Sequence, residues 1–432
     1  MNGSLLCEAL DEYVTFYEAH DYFSGSVLVV RDGEVLLRKG YGLANRELHV
    51  PNRTATKFRL ASMSKQFVAA ATLKLHEQGK LDIKVPIQNY IPDYPNGDHI
   101  TVHHLLTHSS GLSNPDELSE TTHYANLEDL VRLFRDKPLR FEPGSQFGYN
   151  YSSYTLLLHI IETVTGKGHV EYFHDALFQP LGLTSTGFDA NKEIIPERAS
   201  GYYVDENRFV NGKFVDMSVY AGAAGIYSTI DDLYRWNQIL GSDEFISRSS
   251  LEQMFTPHIN NYGYGWHIDD EVIGGTTRRR AHHGGLNDGG FSPAMVRYME
   301  DRVFIVSLSN MLLAPQEKMM KDLGSIVFDA PFIPPRERPR TSVLGPGNFS
   351  KFVGTYEGSM PIPVTREGDQ LFITIFGFKI GLFPAHIHEN SALFFSPLVY
   401  VDVTFAVDGD GTVDTHVRWL GDEGFHATMK QV

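Results

Sequence analysis

Phe58-Arg59-Leu60-Ala61-Ser62-Met63-Ser64-Lys65-Gln66-Phe67 is the stretch on which the reading of this chain turns. Ser62 and Lys65 stand three residues apart at the start of an apolar-periodic segment that reads as a helix to about Gly79. One helical turn puts positions i and i+3 on one face, so the Ser62 hydroxyl faces the Lys65 amine, with the free N–H groups of the first turn close by. A serine hydroxyl is a weak nucleophile at neutral pH. It needs a neighbouring base and donors for the oxyanion it creates, and this turn offers both. Alone, Ser-x-x-Lys is weak, since about one or two are expected by chance in a chain of this length. The alternative is a helix start with an exposed lysine.

Composition narrows the setting. The chain has 432 residues, 42% hydrophobic and 21% charged, as in a soluble globular protein of one large or two ordinary domains. A net charge of -16 disfavours nucleic acid as a partner, because phosphates would be repelled. Cys7 is the single cysteine, so no intramolecular disulfide or multi-cysteine metal site can form. No apolar run approaches the ~18 residues of a membrane span. Met1 to Asp21 reads as an amphipathic helix without the basic and apolar regions of a signal peptide, so the expected location is cytoplasmic.

Outward from Ser62, Ser24 to Arg38 alternates apolar and polar residues around Asp32-Gly33, a hairpin signal. A helical, loop-rich middle follows, with clear helices at Tyr154 to Thr165 and Ile230 to Leu240. Strand patterns return at Tyr262 to Ile268, Arg279 to His283, Ala294 to Tyr298 and Val303 to Ser309, before a closing helix at Met319 to Phe328. The order predicts an α+β fold in which the early hairpin and the late strands share one antiparallel sheet flanked by helices. A proline-rich stretch then reads as a linker, and short strands with Gly, Asp and Asn turns predict a small all-β, barrel-like domain. The expected division is 1–330, a linker over 331–347, and 348–432. Asp408-Gly409-Asp410-Gly411 reads as a hairpin turn, since position 12 of a calcium loop would be Trp419.

Four further stretches make Ser62 more than a chance match. They are Leu105 to Leu112 (LLTHSSGL), Phe147-Gly148-Tyr149-Asn150-Tyr151-Ser152-Ser153-Tyr154 after Pro143-Gly144, Gly225 to Thr229 with Asp231-Asp232-Leu233, and His282-His283-Gly284-Gly285. Together with Phe58 to Phe67, in this order, they resemble the motifs of the serine β-lactamase and penicillin-binding-protein family, which includes DD-peptidases, D-aminopeptidases and esterases. The resemblance covers roughly residues 20 to 310. It implies that Ser62 is acylated and that Lys65 and Tyr149 act as a coupled unit, either of them taking the serine proton. It implies oxyanion donors at the N–H groups of Ser62 and Gly285, room for substrate at Gly284, and His282 where many relatives carry lysine. A histidine there makes recognition of a substrate carboxylate weaker or pH-dependent.

The chain departs from the family pattern in two ways. Tyr151 occupies the position of an asparagine that contacts the substrate amide, and the β tail is absent from simple β-lactamases. The expected function is therefore an acyl-enzyme serine hydrolase without metal or organic cofactor, acting on a small-molecule or short-peptide substrate. A D-residue peptidase or amidase leads, followed by a carboxylesterase, β-lactamase or acyltransferase. The rival of another class is a non-catalytic ligand-binding or sensor protein whose β domain docks partners. Metal binding by His103-His104 or His282-His283 is not expected, for want of a ligating spacing. Trp266 is equally readable as core or as pocket lining.

Overall fold

The computed structural model describes residues 3–115, 122–337, 349–356, 361–388, 390–407, 413–419 and 429–430. Its centre is a six-stranded antiparallel sheet made of β1 (Gly25–Arg31), β2 (Glu34–Tyr41), β3 (His267–Ile273), β4 (Thr276–Gly284), β5 (Ser292–Tyr298) and β6 (Val303–Ser309). The spatial order is β3-β4-β5-β6-β1-β2, so chain start and late strands meet where β1 pairs with β6. Asp32 and Gly33 both have positive φ, as a tight turn between β1 and β2 requires. β5 and β6 are buried at every position, which their near-continuous apolar sequences reflect.

Helices cover both faces of this sheet. α1 (Gly3–Ala19) and α6 (Gln316–Val327) pack on one face, against Val27, Val29, Val296 and Ile305. The other face, carrying Leu28, Ala281, Met295 and Val306, packs against α2 (Lys65–Glu77), α3 (Ser152–Thr165) and α5 (Ile230–Ile239), with the single turn α4 (Ala221–Ala224) beside α3. α2 is buried from Lys65 to Leu73 without interruption, and again at Leu75. A helix apolar all round belongs in a core, and Ala69-Ala70-Ala71 lets its neighbours approach closely. Burial of each large aliphatic side chain contributes about 1.5–3 kcal/mol, so α2 anchors the whole layer.

The expected strand Tyr262 to Ile268 is formed only from His267, where β3 begins. Tyr262 to Trp266 is a loop touching β3 through a single bridge from Tyr262 to His267, and Gly265 holds a φ of +77° against the start of α2. Trp266 is wholly buried against Phe255 and belongs to the core.

The C-terminal strands β7 (Gly354–Tyr356), β8 (Ile362–Glu367), β9 (Gln370–Ile375), β10 (Phe378–Ile387), β11 (Ser391–Phe395), β12 (Val401–Val407), β13 (Val413–Trp419) and β14 (Met429–Lys430) form one antiparallel meander in sequence order. It curls on its own core: Tyr356 of β7 lies 5.8 Å from Phe405 of β12, five strands away. Part of the predicted linker, 338–347, and the Asp408 to Gly411 turn lie outside the described residues.

The meander is docked on the main body by the hairpin 202–211. Tyr203 stacks on Phe378 with centroids 3.8 Å apart, Glu206 N–H donates to Lys379 C=O at 2.7 Å, and Lys379 N–H donates to Asp205 Oδ1 at 3.0 Å. Tyr203 also donates its hydroxyl proton to the carbonyl of Asp288, in the loop that follows β4. No helix among the described residues is long and apolar enough to cross a membrane.

Candidate active site

The short strand Phe58–Arg59 pairs with Ile226–Ser228, and Leu60 N–H donates to Ile226 C=O at 2.8 Å. Ala61 then takes a φ of +46°, a left-handed conformation that costs a side-chain-bearing residue energy, and Ala61–Ser64 winds as a 3-10 turn into α2. This bend sets Ser62 at the first turn, where its N–H has no helical acceptor. Ser64 is bound differently: its hydroxyl accepts the Ile226 N–H at 3.1 Å.

Lys65 is 1% exposed. Its amine donates to Ser62 Oγ at 3.1 Å and to the Ala223 carbonyl of α4 at 3.0 Å, with the rings of Tyr149 and Tyr154 at 4.8 and 5.7 Å. No carboxylate is recorded against it among the described residues, so burial alone acts and lowers its pKa to about 7. Tyr149 is hydrogen-bonded to Ser62. Burial of its hydroxyl end raises the phenol above its ordinary value, which the Ser62 bond only partly offsets, although 38% of the residue is exposed at the cleft. The two groups of the coupled unit thus move apart. The amine is the one that can be neutral near pH 7.

Strand alternation decides the next side chains. Ala281, His283 and Gly285 face α2, whereas His282 and Gly284 face the opposite layer with Val296 and Ala294. His283 is therefore the histidine beside the serine. Its ring centroid lies 6.4 Å from that of Tyr149, its Nε2 shares a 3.2 Å hydrogen bond with the Tyr262 hydroxyl, and burial with nearby His267 and Lys65 keeps its pKa well below 6.5. His282, the expected site residue, instead contacts Asp269 Oδ2 at 3.0 Å on the back face. The register of the motif is shifted by one residue from the expectation.

The N–H of Gly285, expected as an oxyanion donor, is already engaged. Gly285 N–H donates to Pro293 C=O at 3.0 Å, within the sheet. The next N–H, on Leu286, has no acceptor among the described residues and by alternation turns to the other edge, which is open there because β3 begins only at His267, opposite His282. Gly285 is needed for clearance: a Cβ there would lie 2.7 Å from Ser62 N. Gly284 lies in the same strand end, its Cβ position in ordinary contact with β5.

Tyr151 sits just before α3, half-buried, its N–H donating to Asn114 Oδ1 at 3.1 Å. The neighbouring amide, Asn150, is buried and committed to the backbone, donating to Gly148 C=O and accepting from Ser153 N–H, each at 2.7 Å. Residues the sequence did not single out complete the wall. His108, from the Leu105 to Leu112 motif, lies 4.3 Å from the Tyr149 ring and 4.9 Å from the Tyr262 ring. It is wholly buried, kept neutral by burial, and its Nε2 finds no partner among the described residues. The alternation of Arg280-Ala281-His282-His283 carried the signal for His283. Nothing local marks Tyr262 or the Ala223 carbonyl.

Comparison with known proteins identifies the family and the fold. Residues 10–323 match the family model described as Beta-lactamase. Penicillin-binding protein 4* of Bacillus subtilis (strain 168) is 30% identical, over 92% of this chain and 93% of its own length. In several other curated relatives the match covers only 62 or 63% of the relative's own length. Two solved structures share the fold. The octameric penicillin-binding protein homologue from Pyrococcus abyssi has a TM-score of 0.65 at 23% identity, over 98% of this chain and 99% of its own. The D-amino acid amidase from Ochrobactrum anthropi SV3 has a TM-score of 0.66 at 21% identity, over 75% of this chain and 99% of its own.

Proposed function

The chain belongs to the beta-lactamase family of serine hydrolases, and from that premise we propose that it cleaves amide bonds at a D-residue of small peptide-like substrates through an acyl-enzyme at Ser62. The observation that carries this reading is the buried Lys65 amine, 3.1 Å from Ser62 Oγ with a pKa of about 7. Unprotonated, it takes the serine proton as Oγ attacks the carbonyl carbon. The N–H groups of Ser62 and Leu286 receive the oxyanion. The proton then passes to the leaving amine, with Tyr149, bonded to Ser62, as the relay. Water, deprotonated in turn by Lys65, attacks the acyl carbon, and as the bond to Oγ breaks Lys65 returns that proton to Ser62.

Substrate class follows from charge. His283, where many relatives carry a lysine, is held well below the ordinary imidazole pKa by burial, so it is neutral at pH 7 and supplies no cation for a carboxylate beside the scissile bond. That supports a neutral amide over a β-lactam, and the D-amino acid amidase is similar in fold. Tyr151 favours a second reading, a carboxylesterase, because a phenol in place of an asparagine offers no side-chain amide to pair with a substrate amide. The test is intact mass after a fluorophosphonate probe, followed by turnover of matched D-alanyl and L-alanyl amides and esters. One adduct on Ser62 with D-amide preference is the expected result. Ester turnover alone establishes the second reading, and an unmodified folded protein refutes both.

A further inference from the structure

A polar cavity of about 420 Å³ lies against the loop that runs on from Gly285, lined by Arg59, Arg198, Lys213 and the backbone of Gly201, Gly212 and Gly289. The wall is tight: a Cβ on Gly201 or Gly212 would lie 1.9 or 2.1 Å from Gly289 O, and one on Gly289 would lie 2.4 Å from Arg59 Nη1. Side chains are excluded from this wall, and the guanidinium of Arg59 abuts it.

The charges here do not cancel. Behind the wall lies the buried Asp189, and its two oxygens are shared, accepting from Arg59 Nε at 2.7 Å and from Arg198 Nη1 at 2.6 Å. Arg59 is only 7% exposed, yet neither of its Nη groups reaches an acceptor among the described residues. Arg198 likewise has no acceptor for Nε or Nη2 among the described residues. Lys213 lies 4.8 Å above the Phe378 ring and has no carboxylate partner among the described residues. The acid that lines the wall, Glu47, accepts from Asn211 at 2.9 Å. Three cations and one carboxylate line the cavity, and counting Asp189 behind the arginines still leaves an excess positive charge, in a chain of net charge -16. The open guanidinium donors are not sealed from the cavity, and their fork of N–H groups matches the oxygens of a carboxylate or phosphate.

We propose that this cavity is a second ligand site, which binds a carboxylate or phosphate group through Arg59 and Arg198. The same chemistry has two sources: a free anion, or the carboxylate end of a peptide-like substrate. The second source rests on the function proposed above, whereas the site itself does not.

The first experiment titrates inorganic phosphate at constant ionic strength, read by calorimetry and by the melting temperature. It compares the wild type, Arg198→Gln and the remote surface variant Lys39→Gln. Arg198→Gln leaves Arg59 paired with Asp189, and Arg198 is 27% exposed, so the fold is retained. Expected are saturable binding with a raised melting temperature in the wild type and Lys39→Gln, and at least tenfold weaker binding in Arg198→Gln. Lys213→Gln, at the exposed mouth, is a second variant and weakens binding about threefold. Equal phosphate binding in all four proteins, or no saturable binding in the folded wild type, overturns the proposal. Turnover of peptide amides with free or amidated C-termini separates the sources. A KM raised tenfold by Arg198→Gln only for the free carboxylate identifies the substrate end. Unchanged KM for both, with phosphate binding still lost, identifies a free anion.

Discussion

The two faces of β4 carry adjacent histidines with opposite fates. On the face toward α2, His283 lies among Tyr149, Tyr262 and Lys65, and no carboxylate is recorded against it among the described residues. On the face toward α6, His282 lies in a charged ladder: Asp269 contacts His282 and Arg280, Arg280 contacts Glu271, and Glu271 accepts from Tyr298. Burial alone raises Asp269, but the hydrogen bonds from His282 and Arg280 hold it below the ordinary carboxylate range. One face withholds counter-charges and so keeps Lys65 able to lose its proton. The other face supplies them and serves stability. The lesson is that the reactive face is defined by what is missing from it.

The sharpest way to break this contrast is at the reactive face itself. Ser62→Ala lowers kcat/KM by about 10⁵-fold or more with an unchanged melting temperature, measured on whichever amide or ester the wild type turns over. Lys65→Met follows, with a loss of about 10³-fold or more and a gain in stability. The sign follows from linkage: the Lys65 pKa falls from 10.5 unfolded to about 7 folded. The native state is therefore fully stable in this respect above pH 10.5 and loses stability as pH falls toward 7. Removing the amine restores on the order of 4 kcal/mol at pH 7, readable by urea denaturation. A destabilised Lys65→Met would mean that the amine is paired, against the contrast drawn here.

The histidines offer the direct comparison. His283→Ala lowers kcat/KM by about 10²-fold, whereas His282→Ala changes it by less than about threefold and costs about 1 kcal/mol of stability through Asp269. Reversed effects would return the motif to the register expected from sequence. The pH profile sharpens the same point. kcat/KM rises through about pH 7 as Lys65 loses its proton, with no separate limb at the ordinary imidazole pKa, because burial holds His283 and His108 well below it. A limb near pH 6 would place a titrating histidine in the reaction. The smallest effect belongs to the docked meander: Tyr203→Phe releases the Asp288 carbonyl and raises KM about threefold while kcat holds.

Much of the site was legible because motifs are local. Ser62 and Lys65 are one helical turn apart, and Tyr149 precedes a helix whose period is plain. The hairpin at Asp32-Gly33 and the late strands could be read because alternation and turn residues act over a few positions. What failed was register, since one residue along a strand moves every side chain to the other face. His282 and His283 are identical in type, and only pairing with β3 and β5 tells which one meets α2. The loop at Tyr262 misled for a related reason: its apolar residues are buried by tertiary packing, and so mimic a strand.

By itself, then, the sequence determined the fold class and that Ser62 and Lys65 lie one turn apart, because these follow from short-range periodicity and from motifs whose order is preserved. The tertiary structure alone decided that Lys65 has no counter-charge, that His283 rather than His282 attends it, and that two arginines share Asp189. Each of these depends on what lies across a gap of many residues. Desolvation and pairing are set by neighbours in space, and a chain read in order does not list them.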